Sequence, residues 1–507
     1  VAVEVELKLR VAPALARRLS GHPALAAIEP QKYRLLNTYY DTPDFALRKR
    51  RIALRIRRKG RAIWLMTVKV DDAGAGGLAR RLEWEVPTQP GVFDFSVVTD
   101  EALRDFLNAK LPFLRPAFST EFTRTAWTLR RGDALIELAL DRGKIIAPGA
   151  DETIPAASEP ICEVELELLE GGSSDALFDL AIELACDLHL HPLVISKAER
   201  GYNLSDTSLV RPVKGFSSPV TGKMSPVDAF RAIALCCLGQ LQRNEAGAVH
   251  GSDPEYVHQA RVAIRRLRSA FRLFAPVLGA DFIAVYSPRW REVATALGGA
   301  RDWDVFLSET MPPLEEVFDG HAGLAQLRCY GEAARDRAQS AARAALTREE
   351  YSRLLLAFGA ALFRVEPPTI EGEASQRKLR KFVQTSLQKR AATIEKLMNV
   401  DVKMDAEHRH LLRIAFKKLR YAIEFFAPLL PKKSLAAYQG SLTTIQDLLG
   451  VLNDQATALR LMRQTYKDST PDPLIYGWIA GRSQLLITEL DAELGRVTAQ
   501  KKPWRKK

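Results

Sequence analysis

Residues 3–9 alternate without a slip. Val3, Val5, Leu7 and Leu9 take one side and Glu4, Glu6 and Lys8 the other, with Arg10 continuing the ionic side. This is the period-two signature of a strand with one buried face. The ionic side carries the constraint: two carboxylates about 7 Å apart on one strand face repel each other. The habit recurs. Glu83 with Glu85, and Glu163, Glu165 and Glu167, are acidic strand faces, whereas Arg55 with Arg57, Lys69 and Arg124 are basic ones. A surface shaped by stability alone would mix the signs, so sorted strands point to polar faces turned inward. That describes a closed antiparallel barrel with an acidic wall opposite a basic wall across a water-filled lumen.

The rest of the first 205 residues fits such a barrel. Strand patterns occupy 35–40, 52–58, 64–69, 81–86, 121–129 and 161–168, and another, 134–140, is expected to end in a turn at Asp141-Arg142-Gly143. Helical patterns fall at 14–19, 100–111 and 175–189, Asp41-Thr42-Pro43-Asp44 interrupts the second strand, and the segment 195–202 closes the region. The glycine-rich loop Gly74–Gly77 lacks the GKS or GKT of a phosphate loop and reads as a loose hairpin. Carboxylates at this spacing suit hard divalent ions such as Mg²⁺ or Mn²⁺, and arginines grip phosphate oxygens bidentately. One ligand satisfies both walls: a polyphosphate carrying metal, open to in-line attack by water on its terminal phosphorus.

Charge divides the chain. Residues 1–220 hold 30 basic and 30 acidic residues and residues 221–507 hold 43 and 31, so the whole excess of +12 lies in the second part. A one-sided basic excess suggests a polyanionic partner for that part. No run approaches eighteen apolar residues, and acids stand where an export signal needs a basic flank, so neither a membrane span nor an export signal is expected. Cys162, Cys186, Cys236, Cys237 and Cys329 show neither CxxC nor metal-ligand spacing, which fits reduced thiols in a cytoplasmic protein.

The sorted residues of the first part resemble the CYTH family of triphosphate tunnel metalloenzymes. The match runs in family order through Glu4-x-Glu6-x-Lys8, Tyr40-Asp41-Thr42-Pro43-Asp44, Arg55-Ile56-Arg57, Thr67-Val68-Lys69, Arg81-x-Glu83-x-Glu85, Arg124, Asp141 and Glu163-x-Glu165. The resemblance implies an eight-stranded tunnel in which Glu4, Glu6, Asp141, Glu163 and Glu165 bind Mg²⁺ or Mn²⁺, with Glu167 a further neighbouring carboxylate. It gives Lys8, Arg55, Arg57, Lys69, Arg124 and Arg200 the phosphate chain, and Lys8, Tyr39, Glu83 and Lys197 catalytic roles, Glu83 by positioning water. Lys197 and Arg200 match a basic pair of relatives that act on short phosphate chains. Phe122 departs from the pattern, standing where some small members carry a second lysine.

Beyond a Ser/Pro/Gly/Thr-rich stretch at 205–222, long helical periodicity replaces the strands, and the chain repeats itself at a fixed offset of 152 residues. His258 falls on His410, Arg261 on Arg413, Arg265 and Arg266 on Lys417 and Lys418, Arg268 on Arg420, Phe274-Ala275-Pro276 on Phe426-Ala427-Pro428 and Asp302 on Asp454. At about 100° per residue His258, Arg261, Arg265, Arg268 and Arg272 share a stripe about 80° wide, as do His410, Arg413, Lys417 and Arg420 in the second copy, where Glu424 replaces Arg272. The cations lack acidic i+4 partners opposite Arg261 and Arg265, which favours an anion-binding face over a merely solvated one. These stretches resemble the CHAD domain, a duplicated helical module, and imply inorganic polyphosphate binding by those residues together with Lys389. Arg243, Lys381 and Arg390 are further contributors. Double-stranded DNA would need groove-reading elements and single strands would want interleaved aromatics; the stripes contain neither, so no nucleic-acid or membrane partner is expected.

The expected architecture is α+β and multidomain: an eight-stranded antiparallel β tunnel at 1–207, a linker at 208–222, and an all-α duplicated four-helix-bundle domain at 223–500, with repeats at about 223–370 and 375–500. A basic tail at 501–507 is expected to be disordered. The expected function is metal-dependent hydrolysis of inorganic triphosphate to diphosphate and phosphate in a cytoplasmic protein, monomer or homodimer, that the helical domain tethers to polyphosphate granules. Two alternatives are a polyphosphate-binding or granule-targeting protein with little turnover, and a CYTH-type adenylate cyclase, for which no adenine contacts are identified.

Overall fold

The computed structural model describes residues 2–71, 75–149, 156–215, 217–365, 379–399, 406–465, 473–500 and 502–504. The chain divides into two compact units, 1–213 with 348–364, and 214–347 with 365–507. Of the glycine-rich loop, Gly74 lies outside the described residues, as does the expected repeat boundary at 370–375.

In unit 1 the strands are β1 (Ala2–Val11), β2 (Gln31–Asp41), β3 (Ile52–Lys59), β4 (Ile63–Asp71), β5 (Leu78–Pro87), β6 (Arg115–Arg131), β7 (Ala134–Ala147), β8 (Ala157–Glu170) and β9 (Leu190–Pro192). They form one sheet in the order β5-β4-β3-β2-β6-β7-β8-β1-β9, and β5 also pairs antiparallel with β1, which closes the first eight into a barrel. The short β9 continues on the second half of β1, Leu9 opposite Pro192 and Val11 opposite Leu190.

The closure sorts the walls. Running β7-β8-β1-β5 gives the strands that carry Asp141, the Glu163–Glu167 series, Glu4, Glu6, Glu83 and Glu85, while β4-β3-β2-β6 carry Lys69, Arg55, Arg57 and Arg124. The turn expected at Asp141-Arg142-Gly143 is absent, because β7 runs unbroken through it. Glycine there serves close packing: a Cβ on Gly143 would stand 2.0 Å from the Glu121 carbonyl oxygen of β6.

Because the ionic faces point inward, the apolar faces must be covered from outside. Small helices α1 (Pro13–Ala16), α2 (Ala46–Lys49), α3 (Glu101–Lys110), α4 (Ser174–Leu184) and α5 (Lys197–Ser205) follow the strands. Leu7, Leu9, Ile136, Leu138, Val164 and Leu166 lie buried against Leu177, Phe178 and Ala181 of α4, and Leu54, Met66, Val68 and Trp84 against Leu107 of α3. A third cluster, Leu35, Tyr39, Phe118, Phe122, Ile145 and Ile161, is different: Leu35, Tyr39 and Phe122 line the lumen, and the cluster packs beneath Tyr202 of α5. Gly201 permits this approach, since a Cβ there would meet the Phe118 ring at 2.1 Å.

The helices of unit 2 are α6 (Pro226–His250), α7 (Glu255–Phe274), α8 (Ala280–Val305), α9 (Met311–Val317) and α10 (Ala322–Thr347). The next helix, α11 (Glu349–Arg364), packs in unit 1, with Leu356 and Ala360 in the α4 cluster and Ser352 Oγ at 3.0 and 2.9 Å from ring nitrogens of His189 and His191. Unit 2 resumes with α12 (Leu379–Met398), α13 (Ala406–Phe426), α14 (Lys432–Thr465) and α15 (Pro473–Ala499). The two copies meet at equivalent positions. Phe274 and its offset partner Phe426 stand edge to face at 5.8 Å, with Phe382 stacked on Phe274 at 5.2 Å. The expectation of a disordered tail is corrected for residues 502–504: Trp504 is buried against Tyr438 at 5.3 Å and Lys502 bonds Glu395, because an indole with an apolar slot available will leave water. Lys501 and residues 505–507 lie outside the described residues.

Candidate functional site

The barrel encloses a lumen of about 700 Å³ lined by Glu4, Glu6, Lys8, Tyr39, Arg55, Arg57, Lys69, Arg81, Glu83, Glu85, Arg124, Glu137, Glu165, Glu167 and Lys197. Strand register places opposite charges side by side. Lys8 faces Glu165 across β1 and β8, Lys69 faces Glu83 across β4 and β5, and Arg124, Asp141 and Glu163 form one row across β6, β7 and β8. Such a row satisfies buried charges only if each finds its partner, and most do.

Glu4 accepts from Lys69 Nζ at 2.7 Å, and the same ammonium reaches Glu83 at 3.0 Å. Glu6 pairs with Lys8 at 2.8 Å and with Arg81 at 2.5 Å. Burial pulls the Glu6 carboxyl upward, but Lys8 and Arg81 outweigh it and bring it down to about 2. Arg124 grips Asp141 with two bonds of 2.7 Å and also bonds Glu165. Against burial, Lys197, Arg124 and Lys8 hold Glu165 well below the ordinary carboxylate range. Glu167 behaves oppositely, since burial and then Glu4 push it up to about 7.

Asp141, Glu163 and Glu165 form a group whose ligand oxygens all lie within 4.8 Å of one another. An all-oxygen carboxylate group suits Mg²⁺ or Mn²⁺ and disfavours the softer ions that take thiolate or imidazole. Lys197 Nζ sits on it, 2.8 Å from Asp141, 2.8 Å from Glu165 and in contact with Glu163. Below the ammonium lies the Phe122 ring at 5.2 Å. Glu4 and Glu6 stand outside this group, on the Lys69 and Lys8–Arg81 side.

The basic side is less completely paired. Arg55 lies 3.8 Å from Glu83 and 4.0 Å from Glu85, and Thr67 links it to Glu85 by bonds of 3.3 and 2.8 Å. Buried Tyr39 stacks on Phe118 at 4.6 Å; burial would raise its phenol, but the neighbouring Arg55 lowers it. Arg57 has no carboxylate within 4.0 Å among the described residues; it donates to Asn37 Oδ1 at 2.8 Å. Burial, then Arg55 and Arg124, push Arg57 down to about 10, the mark of uncompensated positive charge. Arg200 does not line the lumen, because its guanidinium is spent on Glu159 at 2.6 Å and Glu163 at 2.9 Å.

Sequence reasoning left Arg81, Glu137, Asn37 and Thr67 without a role. Parity could have found three of them, since Arg81 shares a face with Glu83, Asn37 with Tyr39, and Thr67 with Lys69. The Tyr40–Asp44 motif does structural work. Asp41 accepts from the backbone N–H of Thr42, Leu47 and Arg48 at 2.7, 2.9 and 3.0 Å and from the Tyr202 hydroxyl at 2.8 Å, pinning α2 and α5 to the barrel rim.

In unit 2 the two stripes come together. Arg265 of α7 donates to the Tyr421 hydroxyl of α13 at 2.5 Å, and Arg265 and Arg420 both lie over that ring, at 5.7 and 5.5 Å. Burial, then Arg413 and Arg265, lower the Lys417 ammonium to about 6. Burial, then Arg301, lower His258 to about 4, so its imidazole is neutral. Arg261 and Arg413 are lowered by burial as well, although Asp302 opposes the shift at Arg261 and Asp454 at Arg413. Arg268 lies half-buried and Arg420 pairs with Glu424 at 3.1 Å, whereas Arg272, Lys389 and His410 are exposed. Tyr421 and the offset pair Asp302 and Asp454 were not among the expected site residues; the 152-residue repeat carried the signal for the aspartates.

Comparison with known proteins agrees with this division. A CYTH domain model matches residues 2–202 and a CHAD domain model residues 232–463. An inorganic triphosphatase of Haemophilus influenzae is 36% identical over 205 residues, 40% of this chain and 54% of that protein, so the match spans about half the relative's length. The crystal structure of the CHAD domain from Ricinus communis is 31% identical, covers 58% of this chain and 98% of its own, and superposes with a TM-score of 0.51. Among the described residues no helix is long and apolar enough to cross a membrane.

Proposed function

The chain is a CYTH–CHAD fusion, with the CYTH domain at residues 2–202 and the CHAD domain at 232–463, and from that premise we propose that its tunnel hydrolyses inorganic triphosphate to diphosphate and phosphate while its helical unit binds inorganic polyphosphate. The observation that carries the reading is a three-carboxylate group, of which Glu165 lines the lumen, facing a half-buried lumen guanidinium, Arg57, that has no carboxylate within 4.0 Å among the described residues. A chain of phosphates with a divalent ion is the ligand that meets both demands.

In this mechanism Asp141, Glu163 and Glu165 would hold the metal, and Glu4 and Glu6 flank them along the acidic wall. When bound, a divalent ion neutralises charge on the phosphate oxygens and makes water more acidic. Arg57, Arg55 and Lys69 take the phosphate oxygens, Lys8 and Arg124 complete the grip, and Tyr39 keeps Arg55 in place. Glu83, anchored by Lys69, positions the attacking water. Water adds to the terminal phosphorus, the bond to the bridging oxygen breaks, and diphosphate leaves with the negative charge the basic wall is built to receive. Nothing in the sequence marks a nucleobase pocket, which favours tripolyphosphate over a nucleotide.

Support for the second half comes from the basic groups of α7 and α13, which crowd together at a cost that a bound polyanion would relieve. The granule tether in cytoplasm follows from that reading. Phosphate release from tripolyphosphate, ATP and thiamine triphosphate, each with Mg²⁺ or Mn²⁺, tests the tunnel. Turnover of tripolyphosphate that fails in Glu6→Gln and Arg57→Ala is expected; equal turnover in both variants, or cyclic AMP as the product from ATP, would overturn it. Polyphosphate retention on a filter tests the helical unit, and a chain with Arg261, Arg265, Arg413 and Lys417 all replaced by alanine should lose most of it, with a flatter salt dependence.

A further inference from the structure

The lumen cations are held in two ways. Lys8, Lys69, Arg81 and Arg124 each sit on a carboxylate within 2.8 Å. Arg57 is held by a neutral amide: its Nε donates to Asn37 Oδ1 at 2.8 Å, and Asn37 Nδ2 donates in turn to Thr120 Oγ1 at 2.8 Å. These three residues are direct cross-strand partners, Arg57 on β3, Asn37 on β2 and Thr120 on β6, so the row is rigid. Asn37 is 2% and Thr120 1% exposed. The amide's orientation follows from chemistry: a guanidinium offers donors only, so Oδ1 must face Arg57 and Nδ2 must find the acceptor that Thr120 supplies.

We propose that Asn37 is a positioning residue for triphosphate binding: locked by Thr120, its amide aims the Arg57 guanidinium into the lumen while adding no negative charge. An aspartate would fit the same space and bind Arg57 more tightly, but it would neutralise the cation that the phosphate chain needs. The neutral acceptor keeps Nε occupied and leaves the two Nη groups, the bidentate edge, for phosphate oxygens. Among the described residues Arg57 is thereby the lumen guanidinium whose capture of an anion breaks no resident ion pair. This inference rests on the reading of Arg57 as a phosphate ligand.

Steady-state phosphate release from tripolyphosphate, with Asn37→Asp, Asn37→Ala, Thr120→Val, Arg57→Ala and the double variant Asn37→Ala/Arg57→Ala, tests it. Asn37→Asp keeps the side-chain volume and is expected to raise KM about a hundredfold, the scale of a charged pairing set against the substrate. Asn37→Ala should raise KM about tenfold with kcat within about twofold, the cost of one hydrogen bond to a charged group. Thr120→Val should raise KM in the same direction by less. The double variant should be no worse than Arg57→Ala alone, because Asn37 acts only through that guanidinium. Asn37→Asp with the KM of the parent, or a double variant whose defects multiply, would overturn the proposal. If Arg57→Ala itself binds tripolyphosphate normally, the reading of Arg57 as a phosphate ligand fails instead.

Discussion

Replacing Lys197 by methionine removes the ammonium that touches Asp141, Glu163 and Glu165 while keeping most of the side-chain volume. Lys197 is 8% exposed and its carboxylate partners Asp141 and Glu163 are 0% and 2% exposed, so the variant leaves negative charge buried with only Arg124 and Arg200 against it. Breaking a buried pair costs about 3 kcal/mol or more. In a unit of roughly 200 residues that lowers the melting temperature by about 6–12 °C. A divalent ion seated among the same oxygens replaces the missing charge. Mn²⁺ at a hundred times its Kd adds about 2.7 kcal/mol of stability, and in the variant it has no ammonium to displace. Differential scanning calorimetry in EDTA and in Mn²⁺ should therefore show the variant melting well below the parent without metal, then gaining more from Mn²⁺ than the parent gains. Equal melting in EDTA, or a smaller gain from Mn²⁺ in the variant, would refute the assignment of the three carboxylates as one cation site.

Three further outcomes follow from the same geometry. Glu163→Gln should lose most of the Mn²⁺-induced rise in melting temperature, and an unchanged rise would place the ion elsewhere. Asp41→Asn puts an amide among four donors and should cost unit 1 about 3 kcal/mol in urea unfolding, against about 1 kcal/mol for Tyr202→Phe, which removes one donor; equal costs would contradict the capping role of Asp41. Lys417, near 6 in the free protein and ordinarily 10.5, should be neutral at pH 7.5 and gain a proton when a polyanion binds. Calorimetry in buffers of different ionisation enthalpy should read proton uptake that disappears in Lys417→Met, and polyphosphate affinity should fall as pH rises from 6 to 8. The same depressed value means that the unfolded chain holds more protons between pH 6 and 10.5, so this lysine makes unit 2 more stable as pH rises across that window.

The barrel and its ionic lining were legible because strands of period two leave only two faces, and the sign of one face was written in the sequence at Glu4, Arg55, Glu83 and Glu163. The duplicated helices were legible through the 152-residue offset, which brings Phe274 against Phe426 in space. Gly143 misled because glycine in a strand reads as a turn when its close neighbour, the Glu121 carbonyl, comes from a partner strand. Trp504 misled for a similar reason: a short basic tail looks solvated until the Tyr438 slot that takes its indole is known. Which charges compensate which also lay beyond the sequence. Parity could have placed Asn37 and Arg81 in the lumen, but only the side-chain contacts show that Arg81 neutralises Glu6 whereas Asn37 leaves Arg57 charged.

The most direct test is diffraction from crystals grown with Mn²⁺ and tripolyphosphate, collected at a wavelength where manganese scatters anomalously. The tunnel reading predicts an anomalous peak coordinated by oxygens of Asp141, Glu163 or Glu165, Lys197 moved off them, and phosphate density against Arg55 and Arg57. Manganese bound outside the barrel, with Lys197 still seated on its carboxylates and the lumen free of phosphate, would contradict it.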